Sequence, residues 1–365
     1  MFWLIIFAVL LIVCLSGTFY LITRFHKFGI IQKIAEKHKK LSWLLCLLPL
    51  GGICCFAVIN TYAVIIILLH LIAFWLVADL IGKIIRRITK KERRFYAEGV
   101  FTILFTAVYL AFGWYNAHNV VRTAYTFHTD KPLANGSLRI VGIADSHLGI
   151  TLDGEKFAKE MERIQAENPD IVVVTGDFVD DDSCRADMVE ACKALGELKT
   201  TYGVYFTVGN HDKGYFASKR DFTVDDMKNE LKKNNVIVLE DETAEVNDSL
   251  RIVGRLDKHY KERKDIKTLT KDLDNSKFEL VLDHQPNDYD NEAAVGADLV
   301  FSGHTHGGHI WPSGYIGLLI GANDFVYGSK TIDNTDFIVT SGISGWAIPF
   351  KTGCVSEYVV IDVKN

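Results

Sequence analysis

The chain has 365 residues, room for two structural units of about 100–200 residues each, and carries 45 Asp and Glu against 40 Lys and Arg, a net charge of -5. That balance argues against a nucleic-acid partner, which needs a basic face to neutralise phosphates. The seven cysteines, Cys14, Cys46, Cys54, Cys55, Cys184, Cys192 and Cys354, include no C-x-x-C pair and leave an odd number in the second half, so neither a disulfide framework nor a zinc knuckle is indicated.

Nearly all long apolar runs lie before residue 120 and almost all acidic residues after it, so two different solvents are implied. Residues 2–22 are too long for the core of a cleavable signal and lack a basic start, which predicts a span. Residues 42–82 exceed the roughly 20 residues that cross a bilayer and must fold back, with the turn at Asn60-Thr61. A fourth span runs from about 98 to 116, ending where Trp114 and Tyr115 suit an interface. Pro49 and Gly51-Gly52 kink or pack the second span, while His70 and Asp79 in the third are read as tolerated by packing and snorkelling, with no transport function.

Arg24, Lys27, Lys33, Lys37, Lys39 and Lys40 lie between the first two spans, and Lys83, Arg86, Arg87, Lys90, Lys91, Arg93 and Arg94 between the last two; the Asn60 turn has no such charge. The positive-inside rule puts both basic loops in the cytoplasm and everything after residue 118 outside. Residues 1–118 are thus an all-α membrane domain of about four spans, 119–137 a linker and 138–365 a catalytic domain.

From Leu138 onward, β-branched runs alternate with amphipathic stretches, an α/β pattern. Strands are predicted at 138–144, 170–175, 203–208, 236–240, 250–254, 278–283, 298–302, 337–341 and 357–363, and helices at 154–167, 185–199 and 223–234. The charged stretch 257–276 is either a loop or an exposed helix. Polar clusters follow the strands: Asp145-Ser146-His147, Gly176-Asp177, Gly209-Asn210-His211-Asp212, His284, and Gly303-His304-Thr305-His306-Gly307-Gly308. Imidazole, carboxylate and an amide oxygen, without thiolate, suit Mn, Fe, Zn or Co. A carboxylate at a strand end can be shared between two cations, and Asp177 is the natural bridge.

The ordered set D-x-H, G-D, G-N-H-D, a lone His before a residue pair ending in Pro286, and G-H-x-H resembles the calcineurin-like metallophosphoesterase family over residues 138–363, specifically its membrane-anchored bacterial branch. The resemblance implies a sandwich of two mixed β-sheets flanked by helices. It also implies one divalent cation on Asp145, His147 and His306, a second on Asn210, His284 and His304, and Asp177 shared by both. His211 then contacts the phosphate and protonates the leaving oxygen, with Asp212 orienting its ring, while a hydroxide held by the cations attacks phosphorus in line.

Three further residues are candidate substrate contacts. His309 stands where the branch often has Gln and is a substrate contact, a support for a ligand or a solvent-facing polar group. Arg255 is either a phosphate contact or a salt-bridge partner; Trp346, in the run Gly345 to Phe350, and Tyr215 are either pocket wall or packing. Asp180-Asp181-Asp182 is read as a solvated loop rather than a third metal site, and Ser146 as harmless to ligation.

The expected function is a metal-dependent phosphoesterase cleaving a phosphodiester, phosphomonoester or diphosphate outside the membrane. Only about 27 residues separate the last span from Asp145, which favours a lipid-linked substrate. The expected partners are therefore the lipid bilayer and a phosphate ester. The alternative is a non-catalytic metal-binding scaffold or membrane sensor on the same fold. All seven presumed ligands and the His211-Asp212 pair are present, which favours the enzyme.

Overall fold

The computed structural model describes residues 2–58, 60–90, 95–216 and 219–365, with side chains from residue 11 onward. The chain divides into two compact units after Gly113. The first contains α1 (Phe2–Phe25), α2 (Gly29–Lys37), α3 (Lys39–Leu45), α4 (Leu48–Cys54), α5 (Thr61–Thr89) and most of α6 (Ala97–His118). Lys39–Val58, Thr61–Thr89 and Ala97–His118 are long and apolar enough to cross a bilayer, and the described part of α1, Leu11–Phe25, is a shorter apolar helix. The chain is therefore membrane-associated.

Asn60 makes the expected turn by capping α5, its side-chain oxygen accepting from the Ala63 N–H at 2.9 Å. Pro49 lies in the first turn of α4, where its missing N–H costs nothing, and the 42–58 run is built from short helices rather than one kinked rod. Asp79 is held by pairing, not snorkelling: Arg24 Nε lies 2.6 Å from its carboxylate and Tyr20 donates to it at 2.8 Å. His70 engages the Ile66 carbonyl through Nδ1 at 2.8 Å. Lys91, Arg93 and Arg94 of the second basic loop fall outside the described residues.

In the second unit two six-stranded mixed sheets face each other. One has the order β1 (Val120–His128), β12 (Ser356–Lys364), β2 (Ser137–Ile143), β3 (Ile171–Thr175), β4 (Val204–Thr207), β5 (Ile237–Val238). The other runs β10 (Gly328–Ile332), β11 (Thr335–Val339), β9 (Leu299–Ser302), β8 (Phe278–Leu282), β7 (Leu250–Gly254), β6 (Glu242–Glu245). Because strand side chains alternate between faces, Ile140, Ile171 and Val173 meet Ile252, Leu280 and Phe301 between the sheets. Val141, Ile143, Val172 and Val174 point the other way, onto α7 (Gly154–Ala166), α8 (Arg185–Gly196) and α9 (Val224–Lys233). Val253, Val281 and Val300 pack beside α10 (Ile266–Thr270) and α11 (Tyr289–Ala294) on the far side. Four layers bury the central strands on both faces, which is why they read as continuous apolar runs.

The expected two-sheet sandwich is present, with three strands added. The stretch 119–137, expected as a linker, holds β1, whose nine residues pair in parallel with β12. The 257–276 stretch is loop followed by the short α10, with Ile266 and Thr270 buried. A last helix, α12 (Ser313–Leu319), has no buried residue.

Candidate metal centre

The strands β2, β3 and β4 are mutually parallel in one sheet, and β8 and β9 in the other. Their carboxyl ends therefore deliver side chains to common ground, the usual place for chemistry on such sheets. Asp145, His147 and His306 form one group, and Asp177, His284 and His304 another; within each, one ligand atom from every residue lies within 4.8 Å of the others. Asp177 reaches both, with Oδ2 3.1 Å from His284 Nε2 and 3.7 Å from His147 Nε2.

Several atoms are oriented as cation ligands. His284 Nδ1 engages the Thr175 carbonyl at 2.8 Å and His147 Nδ1 engages Asp180 at 3.1 Å, so both present Nε2 to the site. The Nε2 atoms of His147 and His306 face each other at 3.2 Å. Asn210 donates through its amide nitrogen to Tyr215 Oη at 3.1 Å, and its buried Oδ1 has no hydrogen-bond partner. Buried lone pairs without donors are costly unless something positive meets them, so the donor set fits two divalent cations.

The backbone supports the same reading. Asp145, His147, Asp177, His304 and His306 have φ of 55°, 35°, 50°, 70° and 49°, in the left-handed region that side chains disfavour. Such strain gathers at functional sites. Gly209 is needed for close approach, since a Cβ there would stand 2.3 Å from Asp177 Oδ1.

Electrostatics favour ligating forms at two residues. Burial, then the charge of His284, pushes His304 down to about 3, so its imidazole is neutral. Burial alone would raise Asp177, but the imidazoles of His284, His147 and His211 carry its carboxyl well below the usual range.

His211 stands at the mouth, its backbone N–H donating to Asp177 Oδ1 at 2.8 Å. Its ring centroid is 5.0 Å from that of Tyr215 and 5.3 Å from that of Trp346. Asp212 does not take the expected role. Its two buried oxygens accept from the backbone N–H groups of Asp177, Phe178, Val179 and Gly209, so it shapes the loop of the bridging residue rather than the His211 ring.

Arg255 is buried and pairs through Nη1 with Asp283 at 2.9 Å, Asp288 at 2.7 Å and Glu292 at 2.9 Å, the salt-bridge one of its two readings. His309 is buried against the His306 ring, its Nε2 3.2 Å from the Ile348 carbonyl, and so links the metal-site loop to the Trp346 loop. Ser146 donates to the Phe178 carbonyl at 3.1 Å.

The sequence reading missed Asp180, which is buried and grips His147 instead of lying in a solvated loop. Its neighbour Asp181 accepts from the Tyr215 N–H at 3.0 Å and the Phe216 N–H at 2.9 Å. The available signal was the need of a ligating imidazole for a carboxylate behind it.

A sequence model described as calcineurin-like phosphoesterase matches residues 138–308. The uncharacterized metallophosphoesterase YkoQ of Bacillus subtilis is 30% identical over 71% of this chain and 98% of its own length. A transmembrane protein with metallophosphoesterase domain from Danio rerio is 26% identical over 78% of this chain and 68% of its own. Among solved structures, a dimetal phosphatase from Danio rerio aligns with 59% of this chain and 89% of its own at 11% identity and a TM-score of 0.36. Two other solved proteins align at 13% identity and a TM-score of 0.34, and the chain spans 51% and 42% of them. Similarity to one relative across almost its entire length, together with the family match on the unit that holds the site, establishes that the chain belongs to the calcineurin-like phosphoesterase family.

Proposed function

We propose that the chain is a metal-dependent phosphoric ester hydrolase, tethered to a membrane, whose soluble unit works on the external face on a phosphodiester, phosphomonoester or diphosphate that is lipid-linked. The observation that carries the hydrolase reading is the reach of the Asp177 carboxylate to both ligand groups. In this reading Asp145, His147 and His306 hold one cation, Asn210, His284 and His304 the other, and Asp177 is shared. When bound, two divalent cations of the Mn, Fe, Zn or Co kind supply Lewis-acid polarisation of the phosphoryl group and acidify water.

The remaining steps belong to the chain. His211, half-buried at the mouth, contacts the phosphoryl oxygens and gives a proton to the leaving oxygen, a task suited to imidazole. Asp212 acts at one remove by fixing the backbone of Asp177. Tyr215 and Trp346 narrow the mouth and limit water.

Two features support the external, lipid-facing part of the reading. Before residue 118 the Lys and Arg residues all fall in the two segments that the positive-inside rule assigns to the cytoplasm. Only Asn119 separates the end of α6 at His118 from the start of β1 at Val120, so the sheet begins where the membrane helix stops.

The test uses the full chain in detergent, stripped of metal, reloaded with Mn, Zn or Mg, and assayed on an aryl phosphodiester and its matching monoester. Hydrolysis should return with metal, and Asp177→Asn and His211→Ala should each lower it by about a hundredfold or more. A folded, metal-loaded protein that cleaves neither ester, nor any extracted membrane lipid, would remove the proposal.

A further inference from the structure

Beside the candidate centre lies a surface that the proposed chemistry does not use. From Ile310 to Asn323 the chain carries no charged side chain. Trp311, Tyr315, Ile316, Leu318, Leu319 and Ile320 are 57%, 66%, 53%, 41%, 86% and 66% exposed, although a soluble domain ordinarily turns such residues inward. This is the segment formed by α12 and its flanks. Ser313 ties it to the metal-site loop by donating to the Gly308 carbonyl, and the Trp311 N–H ties it to the segment before β12 by donating to Thr352 Oγ1 at 3.1 Å. Behind it lies a cavity of about 300 Å³, lined by Trp311, Tyr315, Leu318, Val326 and Tyr327 and by the backbone of Gly307 and Gly308. Gly307, which follows the proposed ligand His306, is thus part of the cavity's lining.

The apolar phase within reach of this chain is the bilayer that its own helices enter. An uncharged segment mixing Trp and Tyr with Ile and Leu has the chemistry of a membrane interface, where amphipathic rings sit at headgroup level and aliphatic chains go below. Two further exposed aromatics of this unit, Tyr215 and Trp346, stand at the mouth of the site, their ring centroids 5.0 and 5.3 Å from that of His211.

Resting on the phosphoesterase reading above, we infer that Trp311–Ile320 inserts into the bilayer interface and that the cavity behind α12 receives the apolar chain of a membrane lipid whose phosphate is presented to the centre. The substrate is then a phosphate ester embedded in the membrane, drawn sideways into the site.

The full chain is reconstituted in phosphatidylcholine–phosphatidylglycerol vesicles with and without brominated acyl chains. The fluorescence of Trp311 is isolated as the difference between the native protein and Trp311→Phe. Bromolipid should quench that difference strongly; an unquenched difference overturns insertion. In the same vesicles, Ile316→Asp with Leu319→Asp should lower the ratio of phosphatidylglycerol turnover to aryl phosphodiester turnover by roughly tenfold, and an unchanged ratio overturns the lipid-presenting role. A protein that cleaves neither ester removes the phosphoesterase reading, and the quenching result then decides insertion by itself.

Discussion

Asp180 holds the Nδ1 of His147 at 3.1 Å, and so fixes which nitrogen of that ring faces the centre. Asp180→Asn should weaken metal affinity about 10–100-fold, read as a rightward shift in the metal titration of activity with most of the rate recovered at saturation. Loss of rate at every metal concentration would instead give Asp180 a direct part in the chemistry. Gly209→Ala is the harsher change, because the Asp177 backbone nitrogen stands 2.4 Å and Oδ1 2.3 Å from where the methyl would go. Overpacking of this kind costs about 1–3 kcal/mol, and a thermal melt should show the loss even without metal. The presumed ligands were legible in the sequence because each polar residue follows an apolar strand, and strand ends in parallel sheets gather at one edge. The partner of Asp212 was not legible: a carboxylate next to a histidine reads as its orienter, whereas the fold turns it onto four backbone N–H groups.

At the level of elements, Arg255 ties the loop after β7 to the end of β8 and to α11 through Asp283, Asp288 and Glu292, with Arg263 adding a contact to Asp283. Arg255→Ala leaves Asp283 and Glu292 buried with less opposing charge, and breaking a buried pair costs about 3–5 kcal/mol. The variant should unfold at lower denaturant, while the folded fraction keeps its KM for an aryl phosphodiester. A raised KM with unchanged stability would restore the phosphate-contact reading. The central strands were plain in the sequence because burial on both faces makes them apolar throughout. β6 and β10 were not, since as edge strands they carry exposed polar residues such as Glu242, Glu245 and Lys330 and show no apolar run. β1 alternates cleanly but follows directly on a membrane helix, where a tether was the natural expectation.

Over the whole molecule, metal and proton occupancy are linked. Burial opposes charge on His284, yet the Asp177 carboxylate beside it, helped by Asp145 and Asp257, holds the imidazole well above its ordinary range in the metal-free site. A cation entering there must displace that proton. Metal loading should therefore release protons, and apparent affinity should weaken as pH falls, which calorimetry in buffers of different ionisation enthalpy would measure. Binding to the folded state alone adds about 2.7 kcal/mol at a hundredfold excess over Kd, so chelation should lower the melting temperature. Two units and a two-sheet sandwich were readable from hydropathy and strand rhythm, because membrane and water select different compositions. The pairing of β12 with β1 and β2 was not, since it joins the two ends of the second unit.

One such pairing governs the order of assembly. β12 lies between β1 and β2, so β1 has no place in the sheet until residues 356–364 have been synthesised. The first strand after the membrane helix must wait, unpaired, for the last one, and long-range closure of this kind is slow. During that interval the nascent domain exposes an open sheet edge, making the stages of biogenesis before β12 arrives its most aggregation-prone ones.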